Sequence, residues 1–330
     1  MSTESPLKIG TLGAARIAPM ALIRPAAAVP EVEVFAVAAR DQSRARRFAV
    51  KHGIPRVHGS YDELISDPEI EAVYNPLPNG LHCEWTIKAL EAGKHVLCEK
   101  PLAANADEAE RMVDAAAKAG LVLGEAFHWR YHPLAARMKE IVDGGALGRI
   151  RHIEATLCFP LPIPGDIRYR YDLGGGALMD TGCYPISMVR FLAGAEPEVV
   201  SAESRLASPD VDRWMRAELR FADGRSGRIT CALFSSTLIK LNVRVEGDEG
   251  TLSVFNPIAP HFYNRVKVSN RAGTTTERVR GDATYVYQLR AFTRAVRGGE
   301  PLPTDGAHGV ANMRVIDAIY DVVGMKRRGT

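Results

Sequence analysis

The sequence predicts an α/β domain with a doubly wound, mostly parallel sheet, followed by an α+β domain with a large, mainly antiparallel open sheet. Over roughly the first 125 residues, short apolar strands alternate with helical segments, which is typical of a parallel sheet covered by helices on both faces. From about Gly148, strands separated by turn residues follow one another, as in antiparallel sheets. A chain of 330 residues is long enough for two hydrophobic cores. We therefore predict one domain over residues 1–126 and another over residues 127–330.

Apolar runs in the first domain predict strands over residues 8–12, 32–39, 72–74, 95–98 and 121–123. Helical segments lie between them, from about Arg16 and over residues 42–52, 82–91 and 106–119. Asp41 is predicted to cap the second helix and Gly53 to end it, because aspartate accepts hydrogen bonds from free N–H groups and glycine adopts the left-handed conformation. Pro19 and Pro25 fall within the first helix, so we expect it to be short or kinked near Pro25.

The second domain is predicted to contain strands over residues 150–159, 199–205, 214–221, 226–234, 240–246, 251–255 and 266–270. Turns are predicted at residues 223–224 and 247–250, and helices over 285–297 and 310–323. We expect apolar residues on both alternations of the sheet, such as Ile229, Cys231, Leu233 and residues 238–245. A second apolar face requires cover, so we expect a homodimer or higher homo-oligomer joined through this sheet.

The net charge of +3 is spread over the whole chain and argues against binding to nucleic acid or membrane surfaces. Residues 326–328 form a short basic end that we interpret as a solvated tail. No apolar run reaches the about 18 residues that a membrane span needs, and Met1–Pro6 lacks the order of a secretion signal.

Five cysteines, an odd number without CxxC spacing, predict buried free thiols rather than a disulfide framework or a zinc site. We expect a protein of the reducing cytoplasm, without a metal.

A glycine turn follows the first predicted strand. Gly13 is placed to make the tight turn of a G-x-G-x-x-G/A fingerprint, with Ala15 at its second glycine and Ala18 at the position that packs the helix. Free N–H groups at the start of the next helix favour the negative charge of a pyrophosphate. The Ala15 methyl departs from the pattern because it limits how closely the backbone approaches phosphates. The strand before and the helix after favour a dinucleotide site, including Arg16 and Ile17, over a purely structural turn.

The end of the second predicted strand indicates which dinucleotide is bound. NAD sites usually carry an acid there for the ribose 2′-hydroxyl, whereas NADP sites use a basic residue for the 2′-phosphate. Arg40 directly follows the predicted strand, and Asp41 lies one position too far and is better explained as the helix cap. A guanidinium binds phosphate with two hydrogen bonds and stacks on adenine. Arg40 therefore favours NADP over NAD, the alternative being an exposed arginine at a turn.

Two more segments carry residues suited to acid–base chemistry. Lys100 follows the strand over 95–98, at the carboxyl end of the sheet where ligands bind in such folds. Residues 174–176 are three glycines that lead into a helix, on which Asp180 and Tyr184 are four residues apart and share a face. Taken alone, the lysine could be solvated and the Asp–Tyr pair could be a hydrogen bond within the helix.

Together, these segments closely resemble the glucose–fructose oxidoreductase/inositol dehydrogenase (Gfo/Idh/MocA) family over nearly the whole chain. The resemblance lies in the fingerprint, NPLPNGLH at 75–82, AGKHVLCEKP at 92–101, EAFHWR at 125–130, the glycine-led segment to Tyr184 and GDEG at 247–250. Many members carry histidine where this chain has Tyr184. Tyrosine there resembles the subgroup of dimeric dihydrodiol dehydrogenases and NADP-dependent aldose dehydrogenases such as xylose dehydrogenase, which Arg40 also fits.

The resemblance implies a dinucleotide-binding Rossmann domain and a second domain that binds substrate and often forms a dimer, with Lys100 as the central catalytic residue. On the cofactor side it implies, besides the fingerprint and Arg40, the residues Pro76, Leu77, Asn79, His82, Glu99 and Lys100. On the substrate side we place Lys100, Trp129, Arg130, Arg168, Asp180 and Tyr184. Packing at a domain interface is an equal alternative for Trp129 and Arg130, and His82, His128 and His132 are interpreted as pocket-wall or structural groups.

Oxidising an alcohol moves a hydride from carbon to the nicotinamide and a proton from oxygen to an acid–base group. A neighbouring ammonium favours tyrosinate and so lowers the pKa of a tyrosine. We predict that Lys100 and Tyr184 form a coupled acid–base pair and that Asp180 orients the lysine or a substrate hydroxyl. The predicted function is an NADP-dependent dehydrogenase or reductase acting on CH–OH groups of a sugar, polyol or diol.

Two alternatives stay open. A non-catalytic dinucleotide-binding sensor or regulator would have no need for the Lys100–Tyr184 pair. A glycosidase-like mechanism with transient oxidation by tightly held NAD is disfavoured by Arg40, which suits exchangeable NADP. The sequence names neither the substrate nor the physiological direction.

Overall fold

The computed structural model describes residues 5–163 and 165–329. Most of the segment Met1–Pro6, for which no secretion signal is predicted, therefore lies outside the described residues. Its strands are β1 (Leu7–Leu12), β2 (Val32–Ala38), β3 (Arg56–His58), β4 (Ala72–Asn75), β5 (His95–Cys98), β6 (Leu123–Glu125), β7 (Ile150–Cys158), β8 (Glu198–Ser208), β9 (Val211–Arg220), β10 (Ser226–Ala232), β11 (Lys240–Gly247), β12 (Gly250–Phe255), β13 (Arg265–Asn270) and β14 (Gly273–Glu277). Its α-helices are α1 (Arg24–Ala26), α2 (Gln42–His52), α3 (Tyr61–Ser66), α4 (His82–Glu91), α5 (Ala106–Ala119), α6 (Pro133–Asp143), α7 (Cys183–Ala193), α8 (Thr284–Gly298) and α9 (Gly306–Val322).

The described chain divides into two compact units. The first contains residues 5–103, 107–131 and 285–310, and the second contains residues 104–106, 132–284 and 311–329. The first unit therefore takes in a late segment of the chain. The domain division at residues 126 and 127 stays a prediction.

The first unit is built on a parallel six-stranded sheet in the order β3-β2-β1-β4-β5-β6. The strand order reverses between β1 and β4, and in doubly wound folds ligands bind at such a reversal, outside the carboxyl ends of the strands. The segments that follow β1, β4 and β5 leave this same edge of the sheet, because all three strands are parallel. The predicted α/β fold is confirmed, and it brings the fingerprint, the loop after Asn75 and the loop carrying Lys100 to one edge.

The helix after β1 is short, as the two prolines predict. A π-helical turn, Pro19–Ile23, precedes the three-residue α1, and the N–H of Arg24 donates to the carbonyl of Pro19 five residues back. The start expected near Arg16 is wrong, because the chain becomes helical only at Pro19, whose missing N–H is tolerated in a first turn. The wide turn also precedes Pro25, which has no N–H to donate.

Local capping signals predict the ends of α2 correctly, whereas four elements of the structure are not predicted. Asp41 caps α2 by accepting the N–H of Arg44 at 3.1 Å, and Gly53 ends it at φ +68°. The elements that the sequence analysis did not predict are β3, α3, α6 and β14. The edge strand β14 is exposed along its whole length, so it carries no apolar alternation to detect. The helix α6 begins at Pro133, next to its cap His132.

The second unit contains an eight-stranded sheet in the order β14-β13-β12-β11-β7-β10-β9-β8, antiparallel except where β7 pairs with β10. This confirms the predicted open sheet. Ile229 lies opposite both Ala155 and Ala217, and Ala155 lies opposite Val243, so these buried side chains share one face, which packs against α7.

The expectation of two apolar faces is wrong. Ile229, Cys231 and Leu233 occupy a single alternation and are all fully buried. The opposite face is polar and carries an ion pair of 2.6 Å between Arg228 and Glu218. Of the segment 238–245, Leu238 and Ile239 precede β11 and are exposed, because they lie in a connection rather than in the sheet.

All five cysteines are buried and free. No helix in residues 5–163 and 165–329 is long and apolar enough to cross a bilayer. Among the same residues, no three His, Cys, Asp or Glu side chains are grouped so that they could hold a metal ion. The cytoplasmic location stays a prediction.

Candidate active site

The fingerprint turn leaves a cradle at the carboxyl end of β1. Gly13 has φ +88°, a conformation that suits glycine, and its N–H donates to the carbonyl of Ala38 at 2.6 Å. A Cβ on Gly13 would lie 3.4 Å from the Leu77 side chain and 3.6 Å from the Tyr61 hydroxyl. Ala15 and Ile17 are half-buried, and Arg16 is exposed. Gly13 therefore makes the tight turn that the fingerprint requires.

Two arginines lie near this turn: Arg40, which was predicted from the sequence, and Arg44, which was not. Arg40 is exposed at the end of β2. Arg44 donates from Nη2 to the carbonyl of Ala14 at 2.7 Å. Burial raises the pKa of the Tyr61 hydroxyl, and the charges of Arg40 and Arg44 act in the opposite direction. The sequence carries no local signal for Arg44, because Ala14, whose carbonyl it contacts, lies 30 residues earlier in the chain.

The loop after β4 is held by buried side chains. Asn75 accepts the N–H of Leu77 at 3.3 Å and donates to Thr86 at 3.1 Å. His82 is fully buried, with Nδ1 2.9 Å from the carbonyl of Pro101 and Nε2 2.8 Å from that of Leu77. Both ring nitrogens of His82 are thus engaged, which favours the structural interpretation of this residue over direct cofactor binding.

The remaining loop residues proposed for the cofactor differ in their exposure. Pro76 and Leu77 are buried, and Asn79 is half-buried at the start of a short helical turn. Burial lowers the pKa of His82, and the nearby positive charge of Lys100 lowers it further. The carbonyl of Pro101, the residue after Lys100, lies 2.9 Å from Nδ1 of His82, so Lys100 lies close to the loop that follows β4.

Lys100 stands at the carboxyl edge of the sheet, directly after β5, and is half-buried. The carboxylate of Glu99 accepts the hydroxyl of Tyr74 at 2.7 Å and the backbone N–H of Lys100 at 3.3 Å. Burial raises the pKa of Tyr74 well above its usual value, and the charge of Glu99 adds to the shift, so the tyrosine is a neutral donor. Glu99 thus fixes the backbone that carries Lys100.

Two residues after β6 behave differently from each other. Trp129 is fully buried, which favours packing over contact with a substrate. Arg130 is half-buried, and burial lowers the pKa of its guanidinium. The neighbouring His128 ring lies 4.0 Å from the ring of Tyr285, in keeping with a structural role.

In the second unit, Asp180 lies in a π-helical turn, Leu178–Gly182, and Tyr184 lies in the first turn of α7. Arg168 donates from Nε to Asp180 at 3.0 Å and from Nη1 to Asp166 at 3.2 Å. The charge of Asp180 is the main cause that raises the pKa of Arg168. Arg168 and Asp180, both predicted on the substrate side, therefore form one charged pair. Tyr184 is buried, with 6% of its surface exposed. Lys100 belongs to the first unit and Tyr184 to the second, so their pairing stays a prediction.

The glycines ahead of Asp180 are fixed by the C-terminal end of the chain. Arg328 is fully buried, donating from Nε to the carbonyl of Gly175 at 2.6 Å and from Nη2 to Asp212 at 3.1 Å. Asp212 also accepts the N–H of Leu178 at 2.7 Å. Gly176 has φ +132°, and a Cβ there would collide with Asp212. The interpretation of residues 326–328 as a solvated tail is therefore wrong for Arg328, whose partners are distant in sequence.

Replacing Arg328 by alanine is expected to lower the free energy of unfolding by about 3–5 kcal/mol, because it leaves Asp212 buried without its cation. Urea unfolding of purified protein measures this change. Arg170→Ala is the matched control, since its pair with Asp172 is exposed on both sides and is expected to contribute at most about 1 kcal/mol. Equal effects of both substitutions would contradict the role of the buried pair.

Comparison with known proteins gives matches along the chain. A family model described as "Oxidoreductase family, NAD-binding Rossmann fold" matches residues 7–127, and one described as "GFO/IDH/MocA C-terminal domain" matches residues 135–253. D-xylose 1-dehydrogenase (NADP(+)) 2 of Haloferax volcanii is 37% identical over 96% of this chain and 97% of its own. Trans-1,2-dihydrobenzene-1,2-diol dehydrogenase of Sus scrofa is 35% identical over 69% of this chain and 67% of its own. The crystal structure of a 3-ketoreductase from Actinomadura kijaniata in complex with NADP and TDP-benzene has a TM-score of 0.89 at 32% identity, covering 96% of this chain and 98% of that one.

Proposed function

The chain belongs to the Gfo/Idh/MocA family of oxidoreductases, and we propose that it transfers a hydride between NADP and a CH–OH group of a sugar, polyol or diol. The observation that carries the proposal is the position of Lys100 at the carboxyl edge of the parallel sheet, on a backbone fixed by Glu99. Relatives named for D-xylose and for a dihydrodiol support this substrate class.

The first unit has residues that fit a dinucleotide. The cradle at Gly13 would hold the pyrophosphate together with Ala15, Arg16 and Ile17, and Arg40 would bind the 2′-phosphate with support from Arg44. The proposed set is completed by Pro76, Leu77, Asn79 and Glu99. When bound, NADP supplies the hydride acceptor or donor.

The acid–base work falls to side chains of this chain. In the direction of oxidation, the Tyr184 oxygen takes the proton from the substrate hydroxyl, and the Lys100 ammonium stabilises the tyrosinate that this requires. Asp180, itself held by Arg168, orients the lysine or a second hydroxyl of the substrate. In the direction of reduction, the same groups return the proton to the carbonyl oxygen.

Absorbance at the reduced-nicotinamide band tests this function. Purified protein is mixed with NADP or NAD and a panel of aldoses, polyols and vicinal diols, and with the reduced cofactors and the corresponding carbonyl compounds. We expect a substrate-dependent change with NADP. Binding of NADP without any turnover would favour a sensor, and conversion of a glycoside without net reduction of the cofactor would favour the glycosidase-like mechanism.

Arg40→Ala is expected to weaken NADP binding by tens-fold or more, since a charge-assisted contact to phosphate contributes on the order of 1.5–3 kcal/mol. Binding of NAD is expected to change little, because it lacks the 2′-phosphate. Fluorescence titration with both cofactors measures the two dissociation constants. Arg47→Ala is the matched control, because Arg47 is another exposed arginine nearby in the chain, on α2, where it donates to the Ser43 hydroxyl. Equal loss for both cofactors, or a preference of the wild type for NAD, would contradict the assignment.

We also propose a homodimer joined near the open sheet of the second unit. The exposed apolar connection between β10 and β11 supports this proposal, because its Phe234, Leu238 and Ile239 are 47%, 63% and 69% exposed. Light scattering at micromolar concentration is expected to give the mass of a dimer, and Leu238→Glu combined with Ile239→Glu is expected to give a monomer. Val50→Glu, at an exposed position of α2, is the control. A monomeric wild type would overturn the proposal.

A further inference from the structure

A buried carboxylate that the proposed mechanism does not use lies behind the Lys100 loop. Glu125, the last residue of β6, has none of its surface exposed. Its Oε1 accepts the backbone N–H of Leu102 at 2.8 Å, and its Oε2 lies 3.0 Å from Nδ1 of His308 on α9. All three residues belong to the first unit.

The backbone of Glu125 is anchored on both sides by Thr304. The N–H of Glu125 donates to the carbonyl of Thr304 at 2.8 Å, and the hydroxyl of Thr304 donates back to the carbonyl of Glu125 at 2.6 Å. The Tyr131 hydroxyl lies 2.7 Å from the hydroxyl oxygen of Thr304. The carboxylate therefore projects from a fixed point, and its position is transmitted directly to Leu102.

Leu102 is the first backbone donor after Lys100, because Pro101 has no N–H. The backbone N–H of Lys100 itself donates to the Glu99 carboxylate at 3.3 Å. Between them, the carbonyl of Pro101 lies 2.9 Å from the His82 ring. The short segment that carries the lysine is thus fixed at three consecutive residues, and the buried carboxylate of Glu125 supplies the last of these contacts.

A carboxylate in this environment costs free energy unless hydrogen bonds compensate its burial. Glu125 has two such bonds, one from the loop and one from His308. Catalytic groups lose activity steeply when they are displaced, about a hundredfold for a shift of about 1 Å. We propose that Glu125, held in place by His308, is a positioning residue that fixes Lys100 through Leu102; this inference rests on the proposed role of Lys100.

Amide hydrogen exchange tests the tether without cofactor or substrate. In Glu125→Ala, exchange at the Leu102 amide is expected to rise about tenfold or more, because its acceptor is lost, while the amides of β5 keep their protection. Glu125→Gln keeps an acceptor oxygen and is expected to stay close to wild type. A uniform rise at Leu102 and in β5 would show a general loss of stability and overturn the inference.

Steady-state kinetics tests the consequence for the reaction. Glu125→Ala is expected to lower kcat about ten- to a hundredfold with the dissociation constant of NADP unchanged, and Glu125→Gln is expected to restore most of the activity. If Glu125→Ala does not fold, His308→Leu against His308→Asn makes the same comparison, since asparagine keeps a donor near the place of Nδ1. Wild-type kcat in the alanine or leucine variant, or equal losses in the conservative and the disruptive variants, would overturn the inference. Absence of turnover in the wild type would instead refute the proposed function, while the exchange data would still decide whether the tether exists.

Discussion

Replacing Lys100 by alanine is expected to lower kcat at least about a hundredfold, because a positioned acid–base group typically contributes ~10²–10⁴-fold. The side chain leaves the carboxyl edge of the sheet, and its backbone is held by Glu99 at 3.3 Å, so removing the amine should not move the loop. NADP affinity is expected to survive, since the lysine does not hold the phosphates. Single-turnover and steady-state absorbance measurements, together with a cofactor titration, separate the chemical step from binding.

Two further variants make this experiment sharper. Lys100→Arg keeps the positive charge that stabilises the tyrosinate, but a planar guanidinium does not place it where the compact ammonium stood, so this variant is expected to recover only part of the activity lost in the alanine variant. Lys88→Ala, at an exposed lysine on α4 that pairs with Glu84 at 2.8 Å, is expected to keep full activity. If Lys100→Ala retained kcat within about threefold of wild type, the lysine would not be part of the acid–base machinery.

Where local signals suffice, the sequence predicts the fold closely. The bounds of α2, α4 and β5 agree with the structure residue for residue. Each of the two helices shows apolar periodicity and is followed by a glycine with positive φ, Gly53 or Gly93. These stops act within a few residues of the helix, so the sequence alone contains the information.

The remaining features depend on partners that are distant in the chain. Arg328 reads as part of a basic end, but its buried partner is Asp212, 116 residues away. Glu125 and His308 are 183 residues apart, and only the packing of α9 brings them together. No local pattern encodes such contacts.

In the candidate site, too, residues with a local signal were predicted and a residue with a distant partner was missed. The fingerprint, Arg40 and Lys100 stand out because each follows a strand whose carboxyl end lies at one edge of the sheet. Arg44 was missed because its contact is with the carbonyl of Ala14, across a turn. The roles of all these residues stay predictions, and mutation is the direct way to test them.

Tyr184→Phe is expected to lower kcat at least about a hundredfold, as for the loss of a general acid–base group. It removes only a hydroxyl from a side chain that is 6% exposed, so the ring should keep its packing and the free energy of unfolding should change little. Tyr263→Phe, at an exposed tyrosine of the same unit, is the matched control and is expected to leave kcat unchanged. The measurement is kcat as a function of pH for the wild type and both variants, with thermal unfolding as a check on the fold.

The double variant Lys100→Ala with Tyr184→Phe decides whether the two residues work as one unit. Residues that act together are strongly non-additive, so the double variant is expected to be at most about threefold slower than the slower single variant. Independent contributions would instead multiply and give a loss of at least about ten-thousandfold. Near-normal turnover of Tyr184→Phe at every pH would make the tyrosine a wall of the pocket, because no proton transfer would then need its hydroxyl. Lys100 would have to carry the proton alone, through a water molecule, and the pH dependence of kcat would follow the titration of its amine.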